Sequence, residues 1–232
     1  LYLVPFTFYL NSCLLFLHSP MPLTVLDNDL WFPPVNEATE DGLLAIGGDL
    51  RIERLLLAYR SGIFPWFNED EPPLWWCPDP RCVLVPHELY VSKSMKQLFK
   101  RKAFTVTINK AFEEVIWQCG ETRKDKEGTW ITDEITDAYT QLHRLGFAVS
   151  IEAWKHDELV GGLYGIRMGN VFFGESMFSK ESNASKYAFM SYVQQLQKEG
   201  VVLIDCQVYT EHLSSMGARM IDRDLFLSMV KE

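Results

Sequence analysis

The chain has 232 residues, which is enough for one large domain or two modest ones. Hydrophobic residues make up 47% of it and aromatic residues 13%, enough for a sizeable core and an aromatic-lined cleft. The formal net charge of −9 excludes a surface that attracts nucleic acid as a whole, so any RNA contact needs a local basic patch.

The first twenty residues are apolar but are interrupted by Pro5, Asn11 and Ser12. The stretch is too short and too interrupted for a membrane span, and it lacks the basic n-region of a signal peptide. We interpret residues 1–20 as an extension outside the functional protein. A divergent signal peptide is the alternative.

The five cysteines are scattered along the chain, which fits a reducing compartment better than a disulfide framework. Cys77 and Cys82 are close together, but no second pair of Cys or His residues completes a zinc site. We therefore predict no metal site.

Residues 21–80 are predicted to form a small N-terminal α/β domain. A glycine-punctuated turn is expected over residues 41–49, followed by a helix over residues 50–60. Residues 62–67 (G-I-F-P-W-F) and 74–81 (L-W-W-C-P-D-P-R) then place three tryptophans among prolines. Such a stiff aromatic surface could stack a base, or the tryptophans could fill a core between two domains.

Residues 92–102 (S-K-S-M-K-Q-L-F-K-R-K) form a basic cluster in this acidic chain. The spacing predicts a helix that Ser92 caps, with Met95, Leu98 and Phe99 facing inward. Its outer side would carry four cations, namely Lys93, Lys96, Lys100 and Arg101. A solvated helix face is the usual explanation, but the local concentration of charge favours binding of a phosphate backbone.

From residue 104 onward the pattern predicts an α/β layer. Strands are expected over residues 104–108, 147–154, 159–168, 170–174 and 201–208, and helices over residues 111–119, 134–145, 184–198, 211–216 and 223–230. The order β-α-α-β-β-β-α-β-α resembles that of the acetyltransferase-like (GNAT) fold. The predicted fold class is thus α/β (α+β), with a GNAT-like domain over residues 81–232.

Polar side chains interrupt two apolar runs, V-F-F-G-E-S-M-F over residues 171–178 and L-I-D-C-Q-V over residues 203–208. Burying an unpaired carboxylate is expensive, so Glu175 and Asp205 need a partner or a shifted pKa. Asp205 and Gln207 are two residues apart and share one face of a strand. They could form a proton-handling unit or a satisfied polar pair that ties two strands; the residues alone favour the second.

Several motifs in one order make the chain closely resemble the bacterial leucyl/phenylalanyl-tRNA–protein transferase family, from about residue 41 to about residue 226. They are G-G-D-L (47–50), G-I-F-P-W-F (62–67), W-W-C-P-D-P-R (75–81), E-G-T-W-I-T (127–132), G-E-S-M-F-S (174–179), N-A-S-K (183–186) and L-I-D-C-Q-V (203–208).

The resemblance implies a cytoplasmic aminoacyltransferase. Its donors would be Leu-tRNA and Phe-tRNA, with Met transferred less readily, and its acceptors would be proteins with an N-terminal Arg or Lys. The product would be marked for N-degron degradation. We expect a monomer that needs no cofactor, no nucleotide hydrolysis and no membrane partner.

The resemblance also implies roles for individual residues. Gln207 would help to deprotonate the attacking α-amine, backed by Asp205, or the pair would position groups. Trp66 and Trp130 would line the site of the 3′-terminal adenosine, and Glu175 would lie near the substrate's amino group. The donor side-chain pocket would be lined by Phe172, Met177, Phe189, Tyr192 and Ile204. The basic helix would contact the acceptor stem.

The chain departs from the family pattern inside this pocket. Leu163, Phe189, Tyr192 and Leu196 stand where relatives have Met, Leu, Phe and Phe. The relative preference for Leu, Phe and Met therefore stays open.

Two rival classes remain. An acyl-CoA acetyltransferase would share the fold, but residues 179–184 contain no glycine for the pyrophosphate loop that such enzymes use. A non-catalytic RNA-binding module would need the basic helix but neither Asp205 nor Gln207. His212 could pack or cap the helix around it, which we favour, or meet the substrate.

Overall fold

The computed structural model describes residues 23–127 and 130–230. The N-terminal extension (1–20) and residues 128–129 of the E-G-T-W-I-T motif lie outside these ranges. The helices and strands, in chain order, are β1 (Thr24–Leu26), β2 (Leu43–Gly47), α1 (Ile52–Arg60), β3 (Phe64–Pro65), β4 (Leu74–Trp76), β5 (Arg81–Leu84), α2 (Lys93–Lys100), β6 (Thr105–Ile108), α3 (Phe112–Glu127), α4 (Asp133–Arg144), β7 (Ala148–Lys155), β8 (Glu158–Met168), β9 (Val171–Ser179), α5 (Ala184–Lys198), β10 (Leu203–Gln207), α6 (Glu211–Ser214), β11 (Arg219–Ile221) and α7 (Arg223–Val230).

A small sheet occupies the N-terminal part, with strand order β1-β2-β4-β3. The expectation of a turn over residues 41–49 was only partly right, because Leu43–Gly47 forms strand β2 against β4. Gly47 and Gly48 then make the turn, with φ of +86° and +75°, a conformation that glycine adopts without steric cost.

The large sheet has strand order β11-β5-β10-β9-β8-β7-β6. Strand β10 runs parallel to β9, and the other pairings are antiparallel. From β6 to α6 the elements follow the order β-α-α-β-β-β-α-β-α, so the predicted acetyltransferase-like fold class is confirmed.

Two boundaries lie five or more residues from their predicted positions. Helix α3 extends to Glu127 rather than ending near Cys119, and strand β9 continues past Gly174 to Ser179. Strand β9 continues because it pairs with β8 beyond Gly174, the residue at which the sequence pattern predicted its end.

Helices cover both faces of the large sheet. One core cluster joins the small sheet and α1 to α3, α4 and one face of the large sheet. The other joins α2 and α5 to the opposite face. Gly161 in β8 permits this second contact, since a Cβ at this position would lie 2.6 Å from the Cβ of Ala184 in α5. Among the described residues, no helix is both long and apolar enough to cross a membrane.

Candidate active site

Strands β9 and β10 stop pairing just before Glu175 and Gln207. The parallel ladder covers only Leu203–Asp205 against Val171–Phe173. Beyond it, Glu175 is the extra residue of a bulge between Tyr164 and Gly165 of β8, and β10 shifts register between Asp205 and Gln207. Because bulges bend a strand and re-aim its side chains, two bulges at this point turn Glu175 and Gln207 toward each other.

Glu175 accepts three hydrogen bonds. The hydroxyl of Tyr59 donates to its Oε1 at 2.8 Å, the hydroxyl of Tyr139 to its Oε2 at 3.2 Å, and Nε2 of Gln207 to its Oε1 at 3.2 Å. The two tyrosine hydroxyls also contact each other. This cluster gathers α1, α4, β9 and β10 around one carboxyl group.

The environment of Glu175 changes its acidity. Burial raises its pKa from 4.5 to about 8, and the charge of Asp205 adds to the rise, against hydrogen bonds from the two tyrosines. Burial, together with the charge of Glu175, also raises the pKa of Tyr59 and of Tyr139 well above 10. The tyrosines therefore stay protonated as donors, while Glu175 can gain or lose a proton near neutral pH.

Asp205 is fully buried and tied to Arg81 of β5. Nε of Arg81 donates to Oδ1 at 2.8 Å and Nη2 donates to Oδ2 at 2.7 Å. The backbone N–H of Gln207 donates to the same Oδ1 at 2.9 Å. Both carboxylate oxygens are thus occupied by protein donors.

The predicted division of faces on β10 is confirmed. Ile204 and Cys206 pack with the α5 cluster, whereas Asp205 and Gln207 reach Arg81 and Glu175. The side chains of Asp205 and Gln207 do not pair directly, because the Gln207 amide bonds to Glu175 and only its backbone N–H reaches Asp205.

The tryptophans differ in burial. Trp75 is fully buried in the core and donates to the carbonyl of Gly47 at 2.9 Å. Trp66 and Trp76 are half-buried, with ring centroids 5.8 Å apart and the Trp76 indole N–H donating to the carbonyl of Trp66. Trp130 is buried in the first core cluster.

The five residues predicted for a donor side-chain pocket come together in the second core cluster. Phe172, Phe189, Tyr192 and Ile204 are buried there and Met177 packs against them. The rings of Phe172 and Tyr192 meet edge-to-face at 5.1 Å. These five side chains are apolar apart from the Tyr192 hydroxyl, which is the character that a site for an apolar side chain requires.

Comparison with known proteins identifies the family of the chain. The sequence model described as leucyl/phenylalanyl-tRNA protein transferase matches residues 83–231, and the model of that family's N-terminal domain matches residues 48–79. The chain belongs to the leucyl/phenylalanyl-tRNA protein transferase family.

Full-length relatives agree with this assignment. Proteins named leucyl/phenylalanyl-tRNA–protein transferase are 58% identical in Flavobacterium johnsoniae (89% of this chain, 98% of the relative) and 55% identical in Pseudomonas fluorescens (86% and 89%). One from Syntrophobacter fumaroxidans is 53% identical over 91% of each chain. The chain is therefore an aminoacyltransferase that uses aminoacyl-tRNA and a protein acceptor.

The basic helix of the transferase is α2. Ser92 is its N-cap, with Oγ accepting from the N–H of Met95, and Met95 and Leu98 are buried, as predicted. The four cations on its outer side are exposed, and none forms an ion pair with another described residue; they are Lys93, Lys96, Lys100 and Arg101.

Three residues that bond to Glu175 or Asp205 were missed by sequence reasoning. Tyr59 and Tyr139 lay within two predicted helices without being marked as site residues, and Arg81 closed a proline-rich motif. A signal existed for Arg81, since a cation that opens the apolar strand R-C-V-L needs a buried acid.

His212 lies at the start of α6, where Thr210 is the cap. Its Nε2 is buried and has no hydrogen-bond partner among the described residues. Burial, with a contribution from Lys186, lowers the pKa of His212 to about 4. The ring is therefore neutral at physiological pH, and capping by its side chain is not observed.

Proposed function

We propose that this transferase moves Leu or Phe, and less readily Met, from aminoacyl-tRNA to proteins with an N-terminal Arg or Lys, marking them for N-degron degradation. The observation that carries the proposal is the Glu175–Gln207–Asp205 arrangement at the bulged ends of β9 and β10, beside an apolar cluster. We further propose a monomer that acts in the cytoplasm, because aminoacyl-tRNA is made and used there.

The proposed reaction needs little activation, since the aminoacyl ester is already reactive. The α-amine of the acceptor attacks the ester carbonyl, a C–N bond forms, and the C–O bond to the 3′ ribose oxygen breaks. One proton leaves the amine and one reaches the ribose oxygen. The protein must orient the two reactants and move this proton.

We assign these tasks to the bulge residues. Nε2 of Gln207 donates to Glu175, which leaves the Gln207 amide oxygen free to accept a hydrogen bond from the attacking amine. Asp205 holds the Gln207 backbone, and Glu175 exchanges the proton because its pKa of about 8 lies near the working pH. Trp66 and Trp130 are proposed to line the site of the 3′-terminal adenosine.

The donor pocket is expected to select by shape at Cβ. Phe172, Ile204 and their neighbours form a packed wall that suits side chains unbranched at Cβ, and a misplaced methyl group costs about 1–3 kcal/mol in such a site. Ile-tRNA and Val-tRNA should be poorer donors than Leu-tRNA by roughly 10- to 200-fold in kcat/KM. Equal kcat/KM values for Leu-tRNA and Ile-tRNA would contradict selection by shape at Cβ.

The cations of α2 are expected to bind the phosphates of the acceptor stem. Replacing Lys93, Lys96, Lys100 and Arg101 by Ala should raise the KM for aminoacyl-tRNA and reduce the slope of log K against log salt by roughly 0.7–0.9 per lost contact. Lys198→Ala, at an exposed lysine on α5, is the control. An unchanged salt slope in the fourfold variant would refute the assignment.

Transfer of labelled Leu from Leu-tRNA to a peptide beginning with Arg tests the proposal directly. A peptide that begins with Asp but is otherwise identical is the control. Thermal shifts with acetyl-CoA, aminoacyl-tRNA and bare tRNA separate the rival classes. Stabilisation by acetyl-CoA without transfer would favour an acetyltransferase, and binding of tRNA without transfer would favour an RNA-binding module.

A further inference from the structure

Arg81 is a buried cation whose role lies outside the assignments above. It is 1% exposed and grips the Asp205 carboxylate with two hydrogen bonds of 2.8 and 2.7 Å. This two-point geometry fixes the plane and orientation of the carboxylate, which a single bond would leave free to rotate. Nη1 of Arg81 is buried and has no hydrogen-bond partner among the described residues. The hydrogen bonds of the Arg81 side chain, from Nε and Nη2, therefore both go to Asp205.

Two aromatic rings hold the guanidinium in place. Phe64 and Phe226 each lie 4.6 Å from its central carbon. Phe64 belongs to β3 of the small sheet, in the segment that also holds Trp66, and Phe226 belongs to the C-terminal helix α7. Arg81 is therefore the point at which the small sheet, the C-terminal helix and strand β10 meet.

The Asp205 carboxylate, which Arg81 orients, also bonds to the backbone of Gln207. Its Oδ1 accepts from Nε of Arg81 and from the backbone N–H of Gln207. Gln207 has a φ of +63°, a left-handed conformation that is unfavourable for a residue with a Cβ and persists only when its surroundings enforce it. With this backbone geometry, Nε2 of Gln207 donates to Glu175 at 3.2 Å.

We propose that Arg81 is a positioning residue for aminoacyl transfer: by orienting Asp205 it holds Gln207 in the left-handed conformation that places its amide between Glu175 and the attacking amine. Arg81 does not touch substrate. In this arrangement Asp205 is also a positioning residue, because both of its oxygens are occupied. The inference rests on the function proposed above for Gln207.

The test compares Arg81→Lys with wild type. A lysine keeps the charge but loses the two-point grip. We expect kcat for Leu transfer to fall about 100-fold, the scale of an ångström-level misplacement, with an unchanged Kd for tRNA. In NMR spectra of protein labelled at glutamine, the Cα and Cβ shifts of Gln207 should move from left-handed to extended values; absence of the signal from Gln207→Ala assigns it.

Two further variants serve as controls for the effect of Arg81→Lys. Arg54→Lys changes another fully buried arginine, one that bonds backbone carbonyls in the N-terminal part, and should retain wild-type kcat. The double variant Arg81→Lys, Asp205→Asn should have the kcat of Asp205→Asn alone, because Arg81 acts through Asp205. If Arg81→Lys does not fold, Arg81→Gln with Asp205→Asn removes both buried charges together and should show the same loss of kcat.

Wild-type kcat in folded Arg81→Lys, or independent losses in the double variant, would overturn the positioning role. Unchanged Gln207 shifts would overturn it as well, whatever the activity. Absence of Leu transfer by the wild-type protein would overturn the proposed function instead, and the NMR comparison would still decide whether Arg81 sets the conformation of Gln207.

Discussion

Glu175→Gln is expected to lower kcat for aminoacyl transfer by about 10²- to 10⁴-fold, the range of general acid–base contributions. The glutamine keeps the shape of the side chain and can still bond to Tyr59 and Tyr139, but it cannot take up a proton. In the wild-type protein, kcat/KM should rise with pH through an apparent pKa near 8, as the Glu175 carboxylate forms. This component should be absent from the variant.

The attacking α-amine titrates in the same pH range, so the variant is needed to separate the two groups. Peptides whose α-amines differ in pKa should be compared with both proteins. Changing the peptide shifts the pH at which the amine titrates, whereas the pH at which Glu175 titrates stays the same. Glu152→Gln, at a buried and hydrogen-bonded glutamate on β7, is a matched control and should keep the wild-type pH profile. An identical pH profile in Glu175→Gln and wild type would exclude Glu175 as the proton acceptor.

The same pKa predicts how stability changes with pH. Because the folded-state pKa of Glu175 is raised, the folded protein binds more protons than the unfolded chain between about pH 4.5 and 8. The contribution of Glu175 to stability is therefore fully present below the unfolded pKa and is lost as pH rises through about 8. Urea titrations at several pH values should show this decline in wild type and a smaller one in Glu175→Gln.

Asp205→Asn is the second change with a large expected effect. The variant keeps the shape of Asp205 but leaves the Arg81 guanidinium buried without its counter-charge. Breaking such a pair costs about 3–5 kcal/mol of unfolding free energy. We also expect kcat to fall by about 100-fold or more, since the amide oxygen in place of Oδ1 is a weaker acceptor for the Gln207 N–H and the amide NH2 group would face the Nη2 donor of Arg81.

Single-turnover transfer, tRNA binding and urea unfolding of Asp205→Asn should be measured together. The Kd for tRNA should change little, because Asp205 is fully buried and the exposed cations of α2 are unaltered. Asp79→Asn is the matched control: this half-exposed aspartate pairs with Arg223, so its loss should cost less than about 1 kcal/mol. Wild-type kcat in Asp205→Asn at a temperature where it is folded would make the ion pair purely structural.

The sequence by itself determined the order of the large elements. Helix α2 with its Ser92 cap, helix α5 and the three long antiparallel strands are defined by local periodicity, and that order was enough to predict the acetyltransferase-like fold. Apart from β6, the strands of two to four residues were missed, as at Phe64–Pro65 and Arg81–Leu84, because so short a run shows little periodicity and depends on its neighbours in the sheet.

The candidate site was likewise predictable from the sequence only in part. Glu175, Asp205 and Gln207 could be selected from the sequence, because polar side chains within apolar strands need a hydrogen-bond partner or serve a function. Their partners could not. Arg81 is 124 residues from Asp205 in the chain, and Tyr59 is 116 residues from Glu175. The pKa of Glu175 and the left-handed conformation of Gln207 depend on desolvation and on these distant donors, and only the packed tertiary structure brings both about.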